Sequence, residues 1–117
     1  GYPDVAGVAA QVKSDDFVIF AGHTPDLLPD MLKARSSDGD NHWFDLALFG
    51  HTHGGQISFL GKSPFFNLKT DVGPRYMNGW LEENRAAVLV SNGVGTSGAP
   101  VRLFARPQIH LITLKSR

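Results

Sequence analysis

Two short apolar runs in the first half of the chain, Phe17-Val-Ile-Phe-Ala21 and Phe44 to Phe49, each stop at a Gly-His pair, Gly22-His23 and Gly50-His51. Runs of this length, bounded by glycine, read as strands buried on both faces inside a parallel sheet. Between them, Thr24 can cap a helix whose first position is Pro25, and Leu27, Leu28, Met31 and Leu32 share one helical face. Ser36 to His42 is a polar loop. Strand, helix and strand in that order form a parallel βαβ unit. Upstream, Asp4 to Val12 fits a short helix, with Gly7 against it.

After Gly55 the texture changes to short β-like pieces separated by Gly, Pro and Asn: Gln56–Leu60, Tyr76–Leu81, Ala86–Ser91, Val101–Phe104 and Gln108–Leu114. The last alternates, as a strand with one wet face does. The expected fold class is therefore α/β, a βαβ unit followed by antiparallel strands. At 117 residues the chain is one domain, and 42% hydrophobic with 19% charged residues is an ordinary globular composition. The absence of cysteine excludes a disulfide scaffold and a thiolate metal site. No apolar run is long enough to span a membrane, and no targeting segment is visible. The chain opens without Met, so its start reads as a cut.

A net charge of zero gives no reason to expect nucleic acid as a partner. The zero is a sum of unlike halves. Residues 1–60 hold three basic residues against eight Asp, giving −5, and residues 61–117 hold eight basic against three acidic, giving +5. A basic half is most simply a solvated face, but it also gathers anions.

Gly50-His51-Thr52-His53-Gly54-Gly55 is the segment richest in chemistry. It follows an apolar strand directly, at the carboxyl end, where open α/β sheets place their sites. Two imidazoles two residues apart on a turn can each offer a nitrogen to a metal, and the glycines let a ligand come close. His23 stands at the other strand end. If the strands are parallel neighbours, those ends lie roughly 5–10 Å apart, which brings His23 to the same sheet edge as His51 and His53.

Gly22-His23 and Gly50-His51-Thr52-His53 resemble the last two metal-binding motifs of the calcineurin-like metallophosphoesterases. Gly50-His-Thr-His-Gly-Gly-Gln-Ile57, Val90-Ser-Asn-Gly-Val-Gly-Thr-Ser97 and Pro100-Val-Arg-Leu-Phe-Ala-Arg-Pro107 resemble a bacterial branch holding phosphodiesterases and pyrophosphatases, some acting on UDP-diacylglucosamine. The resemblance runs from Phe17 to Leu114. It implies half of an α/β/β/α sandwich, with residues 1–117 as the C-terminal part of a single domain. It implies a binuclear site whose bridging hydroxide attacks phosphorus, with His23 and His51 on one metal and His53 on the other. The two divalent ions would be Mn, Zn, Fe or Ni. The substrate would be a phosphorylated small molecule or a lipid-linked phosphate.

The family's Asp-x-His, Gly-Asp and Gly-Asn-His-Asp/Glu motifs, which supply the carboxylates, are absent. Asp40-Asn-His42 imitates the first, but it lies in a polar loop and out of order. The resemblance therefore implies a partner, the missing N-terminal half, and an open sheet edge that invites self-association of this chain.

Other residues read more plainly. Gly93 to Gly98 lacks the lysine and helix of a phosphate-binding P-loop and reads as a plain loop, with a place beside the site left open. Arg75, Arg102 and Arg106 are candidates for phosphate contact, and no spacing selects among them. Asn92-Gly93 reads as a turn, His110 as structural or exposed, and Trp43, Trp80 and the Phe residues as packing. Two further readings stand beside the phosphoesterase half: a non-catalytic βαβ module that binds a partner chain, and a self-contained mononuclear zinc hydrolase with three histidine ligands.

Overall fold

The computed structural model describes residues 2–57, 72–98 and 100–116. Helix α1, Val5–Ala9, is shorter than the apolar pattern suggested; the Asp4 carboxylate caps it by accepting from the Gly7 N–H at 2.8 Å. Strand β1 is Ile19–Ala21 and β2 is Leu46–Phe49. Between them Thr24 caps a 3-10 turn, Pro25–Leu27, which runs into α2, Leu28–Lys33. The expected βαβ unit is there: β1 and β2 are parallel, with Ile19 opposite Leu46 and Ala21 opposite Leu48.

Strands β3, Gly79–Glu83, and β4, Ala86–Val90, form an antiparallel hairpin. β4 is also parallel to β2, so the hairpin joins the same sheet, in the order β1-β2-β4-β3. The chain is thus α/β, with one mixed four-stranded sheet among the described residues.

One face of this sheet carries Phe20, Ala47, Phe49, Ala86, Val88 and Val90, packed against Val5 and Ala9 of α1 and Leu28 and Met31 of α2. Trp43 closes this layer, its Nε1–H donating to Met31 O at 2.8 Å and its ring standing edge-on to Phe20. The other face is covered unevenly. Leu46 and Leu89 are buried, and residues 108–112 run past Leu48 and Leu89.

Four expectations need correction. Phe17–Ala21 is not buried on both faces: β1 is an edge strand, Phe17 is 63% and Ile19 46% exposed, and no strand pairs on its outer flank among the described residues. Gln108–Leu114 forms no strand; Ile112 turns inward while Ile109 and Leu111 stand almost wholly in solvent. Alternation signals one wet face, but it does not supply the neighbouring strand that a ladder needs. Val101–Phe104 contributes only isolated bridges from Leu103 and Phe104 to Ile57, and the rest of the expected Gln56–Leu60 strand lies outside the described residues. Trp80 and Phe104 are largely exposed rather than core; Trp80 lies on β3, the opposite edge of the described sheet, and points outward from it. Among the described residues no helix is long and apolar enough to cross a membrane.

Candidate metal centre

The sheet ladder does not stop where the strands do. Gly22 N–H donates to Leu48 O at 2.9 Å, and Gly50 N–H donates to His23 O at 3.1 Å. These two bonds carry the β1–β2 pairing into both Gly-His pairs and set His23 beside His51. Their ring centroids lie 4.7 Å apart, and both side chains are exposed at the carboxyl end of the sheet. Gly22 is needed there for space, since a Cβ would sit 2.9 Å from the rings of Phe20 and Phe49. Two neighbouring imidazoles that reach solvent, with no acid paired to either among the described residues, suit a borderline divalent ion of the Zn, Fe or Ni kind.

The turn after β2 has unusual backbone geometry. His51, His53, Gly54, Gly55 and Gln56 all take positive φ, from 47 to 77°. Three of the five are not glycine, and such conformations persist only where surroundings over-determine them. Here the surroundings are specific. Thr52 is fully buried, and its hydroxyl donates to Met77 O at 2.6 Å. Gly54 lies against the Asn92 side chain so closely that any Cβ would collide with Asn92 Oδ1. Asn92 itself is buried, holding Arg106 O with its Nδ2–H at 2.9 Å.

His53 is held by its ring. Nδ1 lies 3.2 Å from Gly95 O. A carbonyl can only accept, so Nδ1 carries the hydrogen in this bond and Nε2 keeps its lone pair. That is the arrangement in which metal-binding histidines are commonly oriented. His53 thus also fits a metal, on its Nε2 side. Among the described residues, no group of three or more His, Asp or Glu side chains converges as one ion would require, so the three imidazoles do not together make a mononuclear centre.

The remaining candidates fall elsewhere. Arg75 pairs with Glu83 at 3.0 Å and lies over the Tyr76 ring. Tyr76 O–H donates to the same Glu83 oxygen, and burial, then that bond, raise its pKa above the usual phenol value. Arg106 is exposed. Among the described residues, Arg102 donates to backbone carbonyls: Gly95 O, His53 O, Asn92 O, Gly93 O and Ala105 O. His42 precedes β2, at the opposite end of that strand from His51, and Asp40 Oδ1 is taken by the His42 backbone N–H. His110 Nε2 lies 3.1 Å from Ser91 Oγ. The loop at Gly93–Gly98 does border the site, through Gly95 O and through Ser97 N–H, which donates to Gln56 Oε1 at 2.7 Å.

Sequence reasoning passes over Thr52, Gln56, Asn92 and the bracing by Arg102. Asn92 reads from sequence as a turn residue only. The signal that could have found them is the joint resemblance of segments 50–57, 90–97 and 100–107 to one branch of the family, which carries Thr52, Gln56, Asn92 and Arg102 within it.

Relatives were found over nearly the whole chain. The uncharacterized metallophosphoesterase YkuE of Bacillus subtilis is 31% identical over 118 residues, which is 99% of this chain and 37% of that protein. An uncharacterized metallophosphoesterase of Aquifex aeolicus is 30% identical over 117 residues, 99% of this chain and 40% of that protein. The uncharacterized protein YpbG of Bacillus subtilis is 43% identical over 70 residues, 60% of this chain and 23% of that protein. The chain therefore spans two-fifths or less of the length of these relatives. No family model and no solved structure matches the chain.

Proposed function

We propose that this chain, related over nearly its whole length to proteins named metallophosphoesterases, is the C-terminal part of such a domain and supplies three histidines to its binuclear site. The full protein hydrolyses a phosphodiester or pyrophosphate bond, in a phosphorylated small molecule or a lipid-linked phosphate. The observation that carries this reading is the pairing of His23 with His51, rings 4.7 Å apart, at the ends of adjacent parallel strands. His23 and His51 hold one ion, and His53 presents Nε2 to the second. Two such ions polarise the phosphoryl oxygens and stabilise charge on the attacking and leaving oxygens. The sheet holds the first two rings at the spacing the strands dictate, and the turn after β2 delivers the third. The carboxylates come from the rest of the domain, which pairs along the open flank of β1. That flank is a groove lined by Val8, Val12, Val18, Phe20, His23 and Leu27.

In the full-length protein, His51→Ala and His53→Ala are expected to lower hydrolysis of an aryl phosphodiester by more than about 100-fold. His42→Ala and His110→Ala are expected to leave it nearly unchanged. Equal loss from His42→Ala overturns the assignment. The 117-residue chain alone is expected to bind at most one ion tightly, to turn over negligibly and to self-associate. Adding the missing half restores metal binding and activity together. A monomer of this chain that binds two ions and hydrolyses the ester contradicts the proposal.

A further inference from the structure

Arg102 spends its guanidinium in an uncommon way. Its Nε–H donates to Gly95 O at 2.9 Å, and Nη2 reaches the same oxygen. Nη2 also donates to Asn92 O at 2.7 Å, and Nη1 donates to Ala105 O at 2.8 Å and to His53 O at 3.3 Å. A guanidinium normally seeks a carboxylate or phosphate, for which its planar fork is shaped. Here the fork gathers carbonyls from three separate stretches of chain: the turn after β2, the loop after β4 and the segment around Ala105. The position is half-buried, and the partners are main-chain atoms that a solvated arginine does not collect together.

The carbonyl that takes two of those donors is the one that meets His53. Gly95 O lies 3.2 Å from His53 Nδ1 and receives both Arg102 Nε and Nη2. Gly95 itself is exposed, in a loop with glycines on both sides at 93 and 98, and no helix or strand sets the direction of its carbonyl. Arg102 fixes it. The same guanidinium grips His53 O and thereby holds both ends of the contact, ring and backbone.

We propose that Arg102 is a positioning residue for His53: by pinning Gly95 O it makes that oxygen the acceptor for Nδ1–H and leaves Nε2 as the nitrogen with the lone pair. The metal role of Nε2 rests on the function proposed above; the tautomer does not. Arg102 accordingly acts on His53 through Gly95 O. Lysine does not replace it, because a single ammonium cannot span Gly95 O, His53 O, Asn92 O and Ala105 O at once.

The test is long-range 15N–1H NMR of the metal-free full-length protein at about pH 8.5, where an ordinary histidine of pKa ~6.5 is neutral. The native protein is expected to show His53 as the Nδ1–H tautomer. Arg102→Gln and Arg102→Lys, with a native circular-dichroism spectrum, are expected to shift His53 toward Nε2–H while His110 keeps its native signals. Zinc affinity at the His53 position, measured by calorimetry on the full-length protein, should fall about 10–100-fold in both variants. A native His53 in the Nε2–H form overturns the proposal, as does a folded variant with unchanged His53 signals. If neither variant folds, solvent exchange of the native Arg102 Nε–H decides: slowed exchange supports the pinning, and free exchange overturns it. If the tautomer shifts but His53 takes no zinc in the native protein, the function proposed above fails and the positioning role stands.

Discussion

β1 and β2 both end in Gly-His, and the two ends are held in place by different means. His23 follows an edge strand of alternating exposure, and regular structure places it: its carbonyl accepts from Gly50, and Thr24 next to it caps the following turn with Oγ1 on Asp26 N–H. His51 and His53 follow a central strand with three of its four residues buried, and tertiary braces place them: Thr52 on Met77 O, Asn92 against Gly54, Arg102 on His53 O. A ligand set by a ladder needs only its neighbour strand. One set in left-handed backbone needs residues up to 49 positions away. The second end is therefore the one where small changes far off have large effects.

Substitutions at the two ends sharpen this contrast or break it. The largest difference is expected between Gly54→Ala and Gly50→Ala. Gly54 has φ +61° and no room beside Asn92, so alanine should cost about 3 kcal/mol in urea unfolding. A Cβ on Gly50 meets only His23 O at 3.9 Å, so alanine there should cost less than about 1 kcal/mol. Equal costs remove the distinction. A smaller gap is expected between the two threonines. Thr52→Val leaves Met77 O without its buried donor and should lose about 1–2 kcal/mol. Thr24→Val removes a partly exposed cap and should lose about 0.5–1 kcal/mol.

The fold was legible where it depends on local signals. Gly22 and Gly50 end apolar runs, Thr24-Pro25 starts a turn that becomes a helix, and both strand ends appear where the pattern put them. What was not legible depends on neighbours. A run such as Phe17–Ala21 has the composition of a buried strand, yet burial on its outer flank is a property of what pairs with it. Gln108–Leu114 shows the same limit from the other end of the chain. In the site, the histidines were visible because chemistry selects their type and spacing. Their braces were not, since an Asn or Arg that grips main-chain carbonyls leaves no spacing rule behind: its partners are the same atoms in every residue.

Two weaker effects complete the series. Ile19→Lys on the exposed flank of β1 should change stability by less than about 0.5 kcal/mol while lowering the apparent mass of the chain in sedimentation. A large loss of stability there would mean that the flank is covered. At the amino-terminal end of the sheet, away from His23, His51 and His53, the Ser14 and Ser36 hydroxyls hold the Asp38 pKa down to about 2 from 3.8. Because the folded value is the lower one, this contribution is present above about pH 4 and is lost as pH falls through about 2. Ser36→Ala should flatten that acid limb slightly in thermal unfolding between those values. The carboxylate is fully exposed, so the effect is the smallest of the set.

The open flank of β1 and the ring of His23 belong to the same three-residue strand and the residues just after it. On the function proposed above, a strand docked on that flank would order His23, and an ion shared by His23 and His51 would order the flank. Equilibrium then demands reciprocity: each tenfold by which docking tightens the ion is a tenfold by which the ion tightens docking, ~1.4 kcal/mol either way. If both parts of that proposal hold, metal supply and assembly of the domain become one equilibrium at this edge, and a chelator is expected to act as a dissociating agent, which sedimentation of the full-length protein with and without chelator would read.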